Sequence, residues 1–339
     1  MIKLIDSILK KLDSGSAMVL VSIIASSGST PRGAGATMAV FEDGSSLGTI
    51  GGGAVEYEAQ KQAKDIIKEK TSKMASYRLA PNDVADLGMI CGGDVTVYYH
   101  YVGAGDEKGR ALFAHIKNAF AKDESSWLVR RFENDVLTGM GVYDGDGLHY
   151  METDIDLKPY LTSQAEKVPG EPFFYIEPLK LAGKVYIFGG GHVAQELVPV
   201  LSHVEFETVV FEDRENFARK SLFKGVSDVI LGDFSRFSDY IEVKPEDYII
   251  IMTRGHQADY TVLGQALRTQ ASYIGCIGSS RKTEAIKKRL IEEEGIEKEA
   301  FQRLFSPIGL EIMAETPAEI AVSIAAQLIM HRAKTRGGK

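Results

Sequence analysis

Apolar and polar residues follow two rhythms along this chain, and the change from one to the other divides it. Ile2, Ile5, Ile8, Leu9 and Leu12 recur at helical spacing with Lys and Asp between them, predicting an amphipathic first helix. Ala17 to Ala25 is a β-branched apolar run bounded by Gly15 and by Ser26-Ser27-Gly28, predicting a buried strand. Further strands are predicted over Thr37 to Phe41, Leu47 to Ile50, Ser76 to Leu79 and Asp94 to Val102, with helices over Ala54 to Lys70 and Asp106 to Ala121. Trp127 to Arg131, Val136 to Val142 and Gly147 to Glu152 read as meander strands around the Asp144-Gly145-Asp146-Gly147 turn. Pro159 to Pro178 holds four prolines and no helical period, so a domain boundary is expected between residues 178 and 183.

Beyond that point short apolar runs alternate with helical stretches. Lys184 to Phe188, Glu207 to Phe211, Asp228 to Gly232, Tyr248 to Met252 and Ser272 to Ile277 read as parallel strands, and Arg281 to Glu294 as a charged helix. Thr316-Pro317-Ala318-Glu319 is a capping box that opens a final helix through Ile320 to Met330. The expected fold is therefore α/β: an N-terminal α+β domain over residues 1–178, then a Rossmann-like doubly wound parallel sheet over 183–339.

Composition narrows the function classes. A length of 339 residues suits two domains, and a net charge of -8 argues against a nucleic-acid partner, whose phosphates need a basic face. Cys91 and Cys276 are the only cysteines, too few for a disulfide framework, which fits a reducing cytoplasm. No apolar run approaches the roughly 18 to 20 residues of a membrane span, and no targeting segment or internal repeat is visible.

Chemistry concentrates at glycines. Gly51, Gly52 and Gly53 open a helix, where free N–H groups and the helix dipole suit a phosphate or other oxyanion; the bland alternative is a tight turn for close packing. Thr30 and Pro31 hold Arg32 where its guanidinium can meet the same anion, and Glu56 on the first helical turn is assigned to the N–H edge of a heterocycle. Cys91 stands before Gly92 and Gly93. It reads equally as a buried small hydrophobe and as a thiol whose pKa two exposed N–H groups lower, a ligand or acceptor for a soft metal or sulfur.

Gly189, Gly191 and Ala194 match a dinucleotide fingerprint in its strand and helix context, with His192 inside the loop. The second strand ends in Glu212-Asp213, about 24 residues after Gly189 and near the spacing of a ribose-binding acid, with Asp213 assigned to the ribose. His256 and Asp259 follow a strand end, where open sheets bind ligands. Two residues are too few for a metal, so polar ligand contacts are expected and no metal site is assigned.

Together these motifs resemble the xanthine dehydrogenase accessory factor family, the XdhC/CoxI group, over nearly the whole chain. The residues that carry the resemblance are Gly28-Ser29-Thr30-Pro31-Arg32, Gly35-Ala36-Thr37-Met38, Gly51-Gly52-Gly53 with Glu56, and Cys91-Gly92-Gly93 in the first half. In the second half they are Phe188 to Ala194, Tyr273-Ile274-Gly275 with Gly278-Ser279, Ser306 to Leu310 and Thr316 to Ala321. The resemblance implies a cytoplasmic, non-catalytic maturation chaperone that binds the molybdenum cofactor (molybdopterin), supports its sulfuration with a cysteine desulfurase, and delivers it to a xanthine dehydrogenase-type molybdoenzyme. It also implies a homodimer. Many members carry a histidine where this chain has Arg254. The competing class is an NAD(P)-dependent oxidoreductase, with NAD(P) or another nucleotide in the Rossmann half; it rests on the fingerprint alone, and no catalytic residue is assigned.

Overall fold

The structure is a computed structural model describing residues 1–28, 32–79, 93–122, 124–162, 164–180 and 183–335. The chain divides into two compact units, Met1–Leu181 and Ala182–Lys339. Among the described residues no helix is long and apolar enough to cross a membrane.

Unit 1 is built from two antiparallel five-stranded sheets. The first runs β3 (Ser46–Gly48), β2 (Thr37–Phe41), β1 (Met18–Gly28), β5 (Gly93–Val102), β4 (Lys73–Leu79). Its central strand β1 is buried on both faces, which is why its sequence is a continuous apolar run rather than an alternation. Val19, Val21 and Ile23 pack on Ala59, Ala63 and Ile66 of α2 (Gly53–Glu69). Met18 and Leu20, on the opposite face, meet α1 (Ile2–Asp13), α3 (Glu107–Ala121) and the second sheet. Asp106 caps α3 by accepting a hydrogen bond from the Gly109 N–H.

The second sheet runs β8 (Gly147–His149), β7 (Val136–Asp144), β6 (Ser126–Glu133), β10 (Phe173–Lys180), β9 (Glu166–Val168). The proline-rich stretch before the boundary, for which no strand was expected, supplies β10, which pairs with β6 and β9. The prolines concealed it: Pro172 precedes the strand, and Pro178 sits where the register with β6 shifts, a place that tolerates a missing N–H.

Where the sheets face each other, an ion pair replaces apolar packing. Arg130 on β6 and Glu177 on β10, 1% and 5% exposed, lie 3.0 Å apart, and Arg130 donates to the Ser22 hydroxyl on β1 at 3.1 Å. Tyr175 donates to the Ile23 carbonyl at 3.1 Å.

Unit 2 is a six-stranded parallel sheet in the order β13 (Asp228–Leu231), β12 (Glu207–Glu212), β11 (Lys184–Phe188), β14 (Tyr248–Ile251), β15 (Tyr273–Cys276), β16 (Leu304–Phe305). Numbered within the unit this is 3-2-1-4-5-6, the Rossmann order, with its switch point between β11 and β14. One face packs on α4 (His192–His203) and α7 (Pro317–Thr335), through residues such as Leu197, Leu201, Ile324 and Leu328. The other packs on α5 (His256–Ala266) and α6 (Ser280–Glu294), through Val262, Leu263, Ile286 and Leu290. Helix α5 carries no clear apolar stripe in sequence because Tyr260, Val262, Leu263, Gly264 and Ala266 are all buried, so its burial extends round much of its circumference.

Because Arg130 and Glu177 are buried, removing one leaves the other charged and unpaired. Arg130→Ala should lower stability by about 3 to 5 kcal/mol in urea titrations at neutral pH, whereas the double variant Arg130→Met/Glu177→Leu should recover most of that loss. Equal stability of Arg130→Ala and wild type would show that the pair is not shielded from water.

Candidate functional site

In unit 1 the glycine loop is shaped by its own helix. Gly51, Gly52 and Gly53 adopt φ of 130°, 72° and 63°, a left-handed region that other residues enter only with strain. Glu56 reaches back and accepts hydrogen bonds from the Ile50 and Gly52 N–H groups at 3.0 Å each, and from the Thr49 hydroxyl. The Gly51 N–H donates to Thr49 Oγ1 at 3.1 Å. Burial works against the Glu56 charge, but these donors outweigh it and hold its pKa below the usual range. Glu56, expected to meet a heterocycle's N–H edge, instead turns Oε2 onto the amide of Gly52, one of the three glycines assigned above to an anion, and onto that of Ile50.

Arg32 is exposed. The structure also relates the other two motifs, since β1 ends on Gly28 and β5 begins on Gly93, and these two residues are direct partners in the antiparallel register. The Gly28 to Arg32 motif and the Cys91-Gly92-Gly93 motif thus flank one residue pair at adjacent strand ends. Thr30, Pro31, Cys91 and Gly92 themselves lie outside the described residues.

In unit 2 the loop after β11 crosses very close to the one after β14. A Cβ on Gly189 (φ 111°) would lie 2.4 Å from the Met252 carbonyl oxygen, so only glycine allows this approach. Gly191 caps α4, and His192 and His256 are the first residues of α4 and α5, both exposed on the two sides of the switch point. That is where open parallel sheets bind ligands.

The acid facing the glycine loop is Glu212 rather than Asp213. Alternation along β12 puts Glu212 on the same face as Val210, which packs with α4, whereas Asp213 is one step beyond. Glu212 is 1% exposed, accepts the Gly190 N–H at 2.7 Å, and takes Arg214 Nε and Nη2 at 2.8 and 2.9 Å. Arg214 in turn stacks on the Phe217 ring at 4.0 Å. Asp213 sits 3.4 Å from Arg254. The strand alternation in the sequence was the available signal for Glu212.

Asp259 also differs from expectation. It is 1% exposed, accepts from the Thr253 N–H and hydroxyl at 3.2 and 2.6 Å, and pairs with Lys282 of α6 at 2.6 Å, so it holds the β14–α5 loop to α6 instead of facing a ligand. Cys276 is buried, and burial with the Asp259 charge nearby pushes its thiol up to about 12, leaving a packing residue.

The pattern described as the XdhC Rossmann domain matches residues 185–328, and that of the XdhC and CoxI family matches residues 12–78. The chain belongs to the XdhC and CoxI family. A crystal structure of a xanthine dehydrogenase from Bacillus halodurans superposes on this family member with a TM-score of 0.80 at 27% identity, over 97% of this chain and 95% of that one. Two further relatives are a protein of Bacillus subtilis named as a probable xanthine dehydrogenase subunit, 25% identical over 93% of both chains, and the uncharacterized protein YqeB of Escherichia coli, 22% identical over 94% of this chain. The chain spans only 44% of YqeB.

The XdhC Rossmann unit's Glu212 sets a pH dependence. Burial opposes its charge, yet Arg214 and the Gly190 N–H hold its pKa down at about 2, while burial and the adjacent Glu212 charge raise that of Asp213. A depressed carboxylate stabilises the fold above its unfolded pKa, and that contribution is lost as pH falls from about 4.5 towards 2. Glu212→Gln should therefore destabilise unit 2 by about 3 kcal/mol at neutral pH. The gap from wild type should close on acidification through that window, followed by denaturant melts at stepped pH. A gap that stays constant down to the lower limit would remove the proposed charge pairing.

Proposed function

We propose that this protein is an accessory factor of a xanthine dehydrogenase system: it binds the molybdenum cofactor, supports installation of its sulfur, and hands it to a molybdenum hydroxylase. The observation that carries this reading is the match of both halves to XdhC patterns, together with full-length likeness to the Bacillus subtilis protein whose name places it in a xanthine dehydrogenase. A cysteine desulfurase as sulfur donor and a homodimeric state belong to the same proposal.

The exposed Arg32 supports a ligand with an anionic end, with one change from the sequence-based assignment. Since Glu56 takes the Ile50 and Gly52 N–H groups, the phosphate falls to Arg32 and to the start of α2 rather than to the whole glycine loop. Cys91, two residues before Gly93 in sequence, is assigned to the ligand's soft end. The bound cofactor supplies the molybdenum and its exchangeable sulfur; this chain's residues bind its phosphate, orient it and limit its contact with water.

A second reading, a nucleotide-dependent oxidoreductase, is favoured by the Rossmann strand order and the Gly189 crossing. Against it, Glu212 is already engaged by Arg214 and Gly190, so a ribose would have to compete with a buried ion pair.

Co-expression with cofactor biosynthesis, purification, molybdenum analysis and release of the pterin test the first reading. Wild-type protein should carry molybdenum and pterin in equal amounts, and Arg32→Ala and Cys91→Ala should each lose most of both while melting at the wild-type temperature. Wild-type loading in both variants would remove the site assignment. Hydride transfer from NADH or NADPH to any acceptor in a substrate screen would instead support the oxidoreductase.

A further inference from the structure

Three side chains far apart in sequence meet at one end of unit 1. His115 projects from α3, Asp144 ends β7, and His149 ends β8. Asp144 is 4% exposed, and both histidines turn Nε2 onto it: His115 to Oδ2 at 2.8 Å and His149 to Oδ1 at 3.0 Å. The two imidazole rings lie 4.5 Å apart, and Tyr150 meets the His115 ring edge-on at 5.5 Å while its hydroxyl donates to the Ala111 carbonyl. One ligand atom from each of the three residues lies within 4.8 Å of the others, the one His/Cys/Asp/Glu cluster of this kind among the described residues.

We propose that His115, Asp144 and His149 form a binding site for one divalent transition-metal ion of borderline softness, with zinc the best match. Two imidazole nitrogens and one carboxylate oxygen are a recurrent three-ligand zinc set that leaves a fourth position for water. At metal–ligand distances of about 2.0 to 2.1 Å, tetrahedral ligand atoms stand about 3.3 Å apart. The histidines now contact different Asp144 oxygens, at 2.8 and 3.0 Å, so one ring would move toward the oxygen that binds the ion, within a cluster already no wider than 4.8 Å. On binding, each neutral ring loses its Nε2 proton to solvent and takes one up at Nδ1, so that the Nε2 lone pair faces the metal and no net proton is released. The histidine side chains are 23% and 32% exposed, which gives the ion a way in from solvent. Asp144 is already fixed, because Oδ1 accepts the Asp146 N–H at 3.0 Å within the hairpin turn. The bound ion joins the β7–β8 hairpin to α3 more firmly than two hydrogen bonds do.

The test uses the full chain stripped with chelator, titrated with zinc chloride against a chromophoric competitor, and separately with cobalt(II) read by visible absorption. Wild type should bind one zinc per chain, melt at a higher temperature with zinc than without, and give the strong bands of four-coordinate cobalt. His115→Gln and His149→Gln, which keep an amide donor for Asp144, should each weaken binding by about tenfold or more, given that even an outer-shell partner is worth that much. Metal-free melts of both variants report folding, and either one that folds decides the question. Cys91→Ser should bind zinc as wild type does. The proposal is overturned if the glutamine variants keep wild-type affinity, if Cys91→Ser abolishes binding, or if the wild-type chain takes up no zinc.

Discussion

Backbone N–H groups gathered at a glycine loop require an acceptor, and in both units the chain supplies one itself. Glu56 receives Ile50 and Gly52 in unit 1, and Glu212 receives Gly190 in unit 2. Each carboxylate is held below its ordinary pKa although burial works the other way, by the Thr49 hydroxyl and loop amides at Glu56 and chiefly by Arg214, with the Gly190 amide, at Glu212. The consequence is preorganisation: both loops hold their shape without an outside anion, and neither must collapse or reorder when a ligand arrives. A Cβ at Gly189 would meet the Met252 carbonyl, so the second loop is fixed by contact as well as by charge.

The Rossmann half was readable because its strands are short, parallel and buried on both faces, which leaves uninterrupted apolar runs between helices. Two elements escaped for physical reasons. Pro172 and Pro178 make β10 look like a linker, although the first precedes the strand and the second sits at its register shift, places that tolerate a missing N–H. Helix α5 follows β14 at once and is buried on much of its surface, so no polar face announces it.

Motif positions were legible, but their partners were not. Sequence can place a carboxylate at a helix start or strand end, yet whether it faces a ligand or the chain's own amides depends on contacts made across the fold. Glu56 and Asp259 were expected to face outward and are turned inward, to Gly52 and to Lys282. Glu212 is the last residue of β12 and takes the Gly190 N–H, whereas Asp213 lies one residue past the strand and faces Arg254. His115, Asp144 and His149 gave no sequence signal, because 29 residues separate the first pair and only the docking of a hairpin on α3 joins them.

The two glycine loops differ in how their internal charge is balanced, and that difference bears on ligand choice. At Glu212 the Arg214 guanidinium neutralises the carboxylate at hydrogen-bond distance, so an incoming anion meets a paired site. Glu56 is held through Oε2 by a hydroxyl and two amide N–H groups, which do not cancel its charge. Near a protein surface two like unit charges 4 Å apart repel by about 4 kcal/mol, more than the roughly 1.5 to 3 kcal/mol returned by one charge-assisted hydrogen bond. In the proposed cofactor reading a phosphate beside this loop therefore cannot rest on α2 amides alone and needs a mobile cation to offset Glu56. Arg32, exposed beyond the end of β1, is the cation that the Gly28 to Arg32 motif supplies for that purpose.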